Sequence, residues 1–201
     1  LMMCITSRGG SAEKSWGLQK EAITAQLEKL IAEGADIIDI GGYSSRPGAD
    51  HISPKEEYER IIPVLEFIRV NYPKLILSVD TFRSEIARKV VEDFCVDIIN
   101  DISAGVMDSS MFETIAELQV PYIMMHMKGT PQNMKEKAHY DDLMKEIMEY
   151  FSEKYYSLKL LGVKDVIIDP GFGFGKNIQH NFQLLNNLHQ FKIFELPVMV
   201  G

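Results

Sequence analysis

Short apolar runs rich in Ile and Val alternate with longer stretches of helical period along the chain, and that alternation restricts its fold more than any other feature. The strand candidates are Leu1–Ile5, Ile37–Ile40, Leu75–Val79, Val96–Asn100, Tyr122–His126, Val166–Asp169 and Val198–Gly201. Helical spacing fills the gaps. Ile23, Leu27, Leu30 and Ile31 mark a first helix, and Gly34 stops it. A second opens at Ser53-Pro54-Lys55-Glu56, with a capping hydroxyl, a proline at the first position and a Glu at the third, and Pro63 is expected to kink it. Ile86, Val90, Val91 and Phe94 mark the third; Met111, Ile115 and Leu118 the fourth; Leu143, Ile147, Phe151, Tyr155 and Leu158 the fifth; Ile178, Phe182 and Leu185 the sixth.

Strand and helix alternating in this way means parallel strands with right-handed crossovers, and continuous apolar strands fit a sheet covered on both faces. Two architectures compete, a closed (β/α)8 TIM barrel and an open doubly wound sheet. A barrel takes about 250 residues, against 201 here. The expectation is a barrel truncated after about seven strands, a single domain over residues 1–201 with its C-terminal part absent. The loops have a polarity too. Helix-to-strand connections are short. Those from strand to helix are long and carry Gly, Asp, Asn, His and Arg, on the face where both architectures place their chemistry.

Charge and composition then exclude whole classes. Lys and Arg number 21 against 29 Asp and Glu, a formal net charge of −8, which is the wrong sign for a basic-patch nucleic-acid binder. With 46% hydrophobic residues the chain can bury a core and is not disordered. No apolar run approaches the roughly 18 residues of a membrane span. Two Cys cannot make a disulfide scaffold, and Cys4 and Cys95, each within an apolar segment, read as inert core thiols. A soluble, cytoplasmic protein with no nucleic-acid or membrane partner is expected.

The strand ends offer Asp39, Asp80, Asn100 with Asp101, His126 and Asp169. In a barrel these converge on one mouth, and clustered carboxylates there imply a ligand, a metal or cationic partners. Asp39 and Asp101 have a second reading, as acceptors for backbone amides of adjoining loops. One strand-end His without a His-x-His pair supports no transition-metal cage, and His51, His139, His180 and His189 read as solvated or as supporting other residues. Asp169-Pro-Gly-Phe-Gly-Phe-Gly-Lys176 sets three alternating glycines after a strand. The spacing is neither a dinucleotide fingerprint nor a P-loop; a ligand-hugging loop and a turn shaped only by packing both fit it. Arg46, in Gly41-Gly-Tyr-Ser-Ser-Arg-Pro-Gly48, could receive a phosphate or carboxylate or stay solvated. Met124, Met125 and Met127 flank His126 and could line the pocket of a flat ligand.

Five ordered segments together resemble the dihydropteroate synthases: Asp36-Ile-Ile-Asp-Ile-Gly-Gly-Tyr-Ser-Ser-Arg-Pro-Gly-Ala49, Ser78-Val-Asp-Thr-Phe82, Ile99-Asn-Asp-Ile102, Met125-His-Met-Lys-Gly129 and Asp169 to Lys176. The resemblance implies a pterin-binding TIM barrel. It implies a transferase that joins 6-hydroxymethyl-7,8-dihydropterin pyrophosphate to 4-aminobenzoate in folate biosynthesis, with Mg2+, with sulfonamides as competitors and as a homodimer. Carried over position by position, Asp80 and Asp169 are the catalytic carboxylates. Asp80, Asn100, Ile102, Met125, Asp169 and Phe174 receive the pterin, and Ser45 and Arg46 belong to the loop over aminobenzoate and pyrophosphate. A pterin-binding methyltransferase using methyltetrahydrofolate is the nearest rival, and a barrel that binds pterin without turnover is a third reading. Three departures stand out. The family's Asn-Val-Thr-Pro-Asp-Ser-Phe, whose Asn helps bind Mg2+, is missing where Ile5 runs into Thr6-Ser7-Arg8, so a lost loop is expected there and no metal ligand is assigned. The family's later Lys, Arg and His belong to elements that this chain ends before. Tyr43 stands where the family often has Glu, and the sequence assigns it no role.

Overall fold

The computed structural model describes residues 2–6, 16–45 and 51–201. Strands β1 (Met2–Thr6), β2 (Ile37–Gly41), β3 (Ile76–Asp80), β4 (Ile98–Asp101), β5 (Tyr122–Met125) and β6 (Val166–Asp169) form one sheet. All neighbours are parallel and the order is β1-β2-β3-β4-β5-β6. Strict sequential order decides between the two expected architectures. A doubly wound sheet reverses its order at a switch point, whereas repeated right-handed crossovers in one direction put every helix on the same side, as in a barrel wall.

Helices α1 (Trp16–Ala32), α2 (Pro54–Asn71), α3 (Ser84–Phe94), α4 (Met111–Leu118), α5 (Leu143–Leu160) and α6 (Ile178–Asn186) supply the crossovers, and a 3₁₀ turn spans Leu188–Phe194. Helix α2 begins as its sequence dictates: the Ser53 side chain accepts the Glu56 N–H and Pro54 takes the first position, where its missing N–H costs nothing. Pro63 lies inside this helix. Among the described residues no helix is long and apolar enough to cross a membrane.

Strand alternation divides the residues into two sets. Ile38, Ile40, Leu77, Val79, Ile99, Met124 and Ile168 face the helices and meet Leu27, Ile61, Leu65, Ile86, Ile115, Ile147 and Phe151, nearly all of them fully buried. Each such side chain contributes about 1.5–3 kcal/mol through burial. The intervening positions, Asp39, Ser78, Asp80, Asn100, Met125 and Asp169, lie on the other face. Register levels them: Gly41, Asp80 and Asn100 are direct partners, and Met125 pairs with Asp169 two residues further along.

Several expectations need correction. Val198–Gly201 is not a strand of the sheet: it makes one parallel bridge, Val198 to Ile168, with two hydrogen bonds, the Ile168 N–H to the Pro197 oxygen and the Met199 N–H to the Ile168 oxygen. Two bonds to a single residue are a bridge rather than a ladder. Cys95 is exposed rather than a core thiol, because it caps α3 in the left-handed region at φ 51° instead of starting β4. The Cys4 side chain lies outside the described ones. Helix α6 exists, but Ile178, Phe182 and Leu185 point outward at 74%, 64% and 50% exposure, and its buried residue is Leu184.

Candidate active site

At the carboxyl ends of the strands lies a hollow of about 420 Å³, within the size range of small-molecule sites. Asp80 reaches it from β3, Asn100 from β4, Met125 and Asp169 from the ends of β5 and β6, and Ile102, Phe174 and Ser45 from the loops that follow. Seven of the eight residues expected at the site therefore surround one space. The eighth, Arg46, lies outside the described residues. Asp39 joins the lining, as do Met2 and the chain's last residues, Met199 to Gly201.

Alternation sorts the strand-end polar residues. Asn100 faces inward, so its neighbour Asp101 faces the helices. There Asp101 accepts from the Ser103 N–H and hydroxyl, the Gly105 N–H and the Tyr122 hydroxyl, all at 2.7–2.8 Å. Its role is structural. His126 likewise turns away, packing edge-on to Tyr150 at 4.9 Å between ring centroids. Burial and the nearby Lys176 and Lys128 pull its pKa down to about 2, so it is a neutral imidazole at any ordinary pH. Of the three methionines beside it, Met125 lines the hollow, Met124 belongs to the main core and Met127 to a smaller apolar cluster.

That smaller cluster gives the loops a core of their own. Tyr43, Ile52, Phe82, Ile102, Met125, Met127 and Met134 are buried together, with Phe174 packed against them. Tyr43 meets Phe82 edge-to-face at 5.0 Å, and its hydroxyl accepts from Gln132 Nε2 at 2.8 Å. Beneath them Glu57 is wholly buried. It accepts from the Thr81 hydroxyl at 2.7 Å and pairs with Arg83, which also donates to the Ile52 carbonyl at 2.6 Å. Sequence reading missed this network. Its members lie in a helix and two loops, and no periodicity links them.

The carboxylates are electrostatically tuned. Loss of water raises Asp80 well above the usual carboxylate range, and the charges of Asp39, Glu57 and Asp101 add to the effect. Burial raises Asp169 too, opposed by the Gly171 N–H that donates to its Oδ1 at 2.8 Å and by the Lys176 charge. The glycine loop that follows adopts the left-handed region at Gly171, Gly173 and Gly175, with φ of 73°, 80° and 59°. At Gly171 no side chain is possible, since a Cβ would lie 2.1 Å from the His126 carbonyl oxygen. Among the described residues no group of three or more His, Cys, Asp or Glu is placed to hold a metal ion.

The family model described as "Pterin binding enzyme" matches residues 10–201. The chain belongs to that family. It is similar to the dihydropteroate synthase of Escherichia coli (strain K12), 41% identical over 174 residues, which cover 86% of this chain and 61% of that protein. Among solved structures it is similar to Yersinia pestis dihydropteroate synthase in a sulfonamide drug complex, with a TM-score of 0.87 at 35% identity, covering all of this chain and 72% of that one. It is also similar to Xanthomonas albilineans dihydropteroate synthase with 4-aminobenzoic acid, with a TM-score of 0.86 at 35% identity, covering all of this chain and 71% of that one. The match covers all of this chain, so the TIM-barrel expectation holds, with six sheet strands among the described residues in place of about seven. It spans between 35% and 64% of the length of the curated relatives it matches.

Proposed function

We propose that the protein is a dihydropteroate synthase, condensing 6-hydroxymethyl-7,8-dihydropterin pyrophosphate with 4-aminobenzoate. The observation that carries this reading is the meeting of Asp80, Asn100 and Asp169 around one hollow with Ile102, Met125 and Phe174. A pterin is flat, with an edge of adjacent N–H donors and ring acceptors. A carboxylate accepts two parallel hydrogen bonds from such an edge, which suits Asp169. The Asn100 amide both donates and accepts and can read the neighbouring atoms. The apolar residues match the ring faces.

In the reaction the arylamine nitrogen attacks the exocyclic methylene carbon. A C–N bond forms, the C–O bond to pyrophosphate breaks, pyrophosphate departs with the bonding pair, and the nitrogen loses a proton. Positive charge grows on the pterin as the leaving group departs, so preorganised anions at Asp80 and Asp169 stabilise the transition state more than the ground state. The amine is already nucleophilic at neutral pH, and holding it in line contributes more than a strong base. In this reading Ser45 and Arg46 serve the aminobenzoate and pyrophosphate, sulfonamides compete for the aminobenzoate position, and the protein is a cytoplasmic homodimer.

Pyrophosphate release by the full-length protein, measured with pterin pyrophosphate and 4-aminobenzoate together and singly, tests this. Release that needs both substrates and is slowed by a sulfonamide is expected. Binding of methyltetrahydrofolate with no pyrophosphate release would overturn it in favour of a methyltransferase.

A further inference from the structure

Lys176 closes the glycine loop, and the mechanism above gives it no task. Its side chain is 8% exposed and does not line the hollow. Nζ lies 2.9 Å from the Gly171 carbonyl oxygen, 3.1 Å from that of Phe174 and 3.2 Å from that of His126, and 3.0 Å from His126 Nδ1. A lysine head group has three protons at most, so these four partners, three carbonyl oxygens and a ring nitrogen, saturate it. Burying it without them would be costly. Two acceptors bracket the turn closed by the Phe174 N–H to the Gly171 oxygen, and the other two belong to the residue that follows β5. One side chain therefore ties the loop after β6 to the end of the adjacent strand. The loop requires a tie. Its three glycines are all in the left-handed region, and fixing glycine costs more backbone entropy than fixing any other residue. Asp169 and Phe174, which flank the tied turn, both line the hollow.

We propose that Lys176 is a positioning residue: its head group holds the 170–175 loop in the conformation that sets the Asp169 carboxylate and the Phe174 ring against the bound heterocycle. This deepens the reading of the hollow as a pterin site and rests on it.

The arrangement has a proton signature. Lys176 is faced by His126, which follows β5, by Asp169 from β6 and by His180 from α6, and Lys128 acts on His126 from the loop beyond it. Burial, the largest cause, lowers its pKa from 10.5 to about 7, against the pull of Asp169. Opening the loop returns the amine to water, where it regains its ordinary basicity and takes up a proton. Between those two values a rise in pH therefore opposes opening, and below the lower value opening is independent of pH.

Amide hydrogen exchange over residues 170–176 of the ligand-free whole protein, from about pH 6 to about pH 9 and corrected for intrinsic rates, reads this directly. It is paired with calorimetric titration by 6-hydroxymethylpterin, for the unaltered protein and for Lys176→Met and Lys176→Gln. Protection of the loop is expected to rise about tenfold or more from pH 7 to pH 9 in the unaltered protein and to stay flat in the variants. The variants should bind the pterin about tenfold or more weakly, with exchange in β3 and β4 unchanged. Flat protection in the unaltered protein overturns the proposal, as does a variant with unaltered pterin affinity or one whose exchange quickens equally across the sheet. If neither variant folds, the pH profile of the unaltered protein still decides. If the unaltered protein binds no pterin while its loop protection rises with pH, the pterin reading fails and the tie stands.

Discussion

Asn100 Nδ2 donates to Asp39 Oδ2 at 3.3 Å on the wall of the hollow, joining β4 to β2 across the intervening β3. The bond orients the amide, since with Nδ2 turned toward Asp39 the carbonyl oxygen is left for a ligand. Asn100→Asp would replace the donor with a third carboxylate beside Asp39 and Asp80. A loss of about 1–3 kcal/mol in folding stability is expected at neutral pH, shrinking as pH falls and the carboxylates protonate. Urea midpoints at two pH values measure it, and a pH-independent loss would count against the orientation argued here.

Asp169→Asn removes one of two acceptors and sets an NH₂ against a pterin donor. The Gly171 N–H already occupies Oδ1, so the amide should keep its oxygen there and turn its nitrogen to the ligand. Pterin affinity should fall by about 2–4 kcal/mol, while thermal stability changes little. Calorimetry that finds unaltered affinity would remove Asp169 from the role of anchor.

How much of this was readable without coordinates follows from where each signal lies. Asp39, Asp80, Asn100 and Asp169 sit on a two-residue period at the ends of apolar runs, and that period alone carries them to one face. The same period, applied more strictly, would have turned Asp101 away, because it follows Asn100 directly. The outward stripe of Ile178, Phe182 and Leu185 misled for the opposite reason: a helical period identifies a face but not which side is covered. The Glu57–Arg83 pair, Tyr43 and the Lys176 tie join residues 26 to 89 positions apart. Pairings at such separation leave no local pattern. Tyr43 is explained by its partners, Phe82 and Gln132, and not by the acidic residue that its position led one to expect.

Pterin binding should release protons. Asp80 and Asp169 are both raised in the free protein, chiefly by burial. Donors from a bound pterin favour the ionised forms and lower both values. At a pH near the free-state values the complex therefore holds fewer protons than its separated parts, and affinity rises with pH through that window before levelling. Titrations in two buffers of unlike ionisation enthalpy, from about pH 5 to about pH 8, measure the release. Net proton uptake would mean that the carboxyls bind in their neutral forms.

His126 should make the protein acid-labile. Its pKa is near 2 when folded against an ordinary 6.5, so the unfolded chain binds a proton below 6.5 that the native state refuses. Stability contributed by the neutral ring is full above 6.5 and is lost at about 1.4 kcal/mol per pH unit below it. The raised carboxylates act the other way, so the term is best isolated as the difference between the unaltered protein and His126→Gln. That difference should narrow or reverse as pH falls, and the ring 15N shifts of His126 should stay those of a neutral imidazole between about pH 8 and about pH 4. A ring that titrates near its ordinary value would mean that Lys176 and burial do not act on it as described.

Gly171→Ala tests the close approach of the glycine loop to β5. The substitution meets two penalties at one atom: φ of 73° suits glycine, and the added Cβ would lie 2.1 Å from the His126 carbonyl oxygen. The left-handed region alone costs a non-glycine residue roughly 1–2 kcal/mol. The contact is too short to survive, so the loop must shift away from β5 and carry the Lys176 bonds with it. A loss of about 3 kcal/mol or more in stability is expected, with pterin affinity reduced in parallel because Asp169 and Phe174 move with the loop. Gly173→Ala is the control, since its φ is 80° and nothing lies within 4 Å of the added atom; it should cost only the backbone term. Equal losses at the two positions would show that the approach to His126 does not constrain the loop.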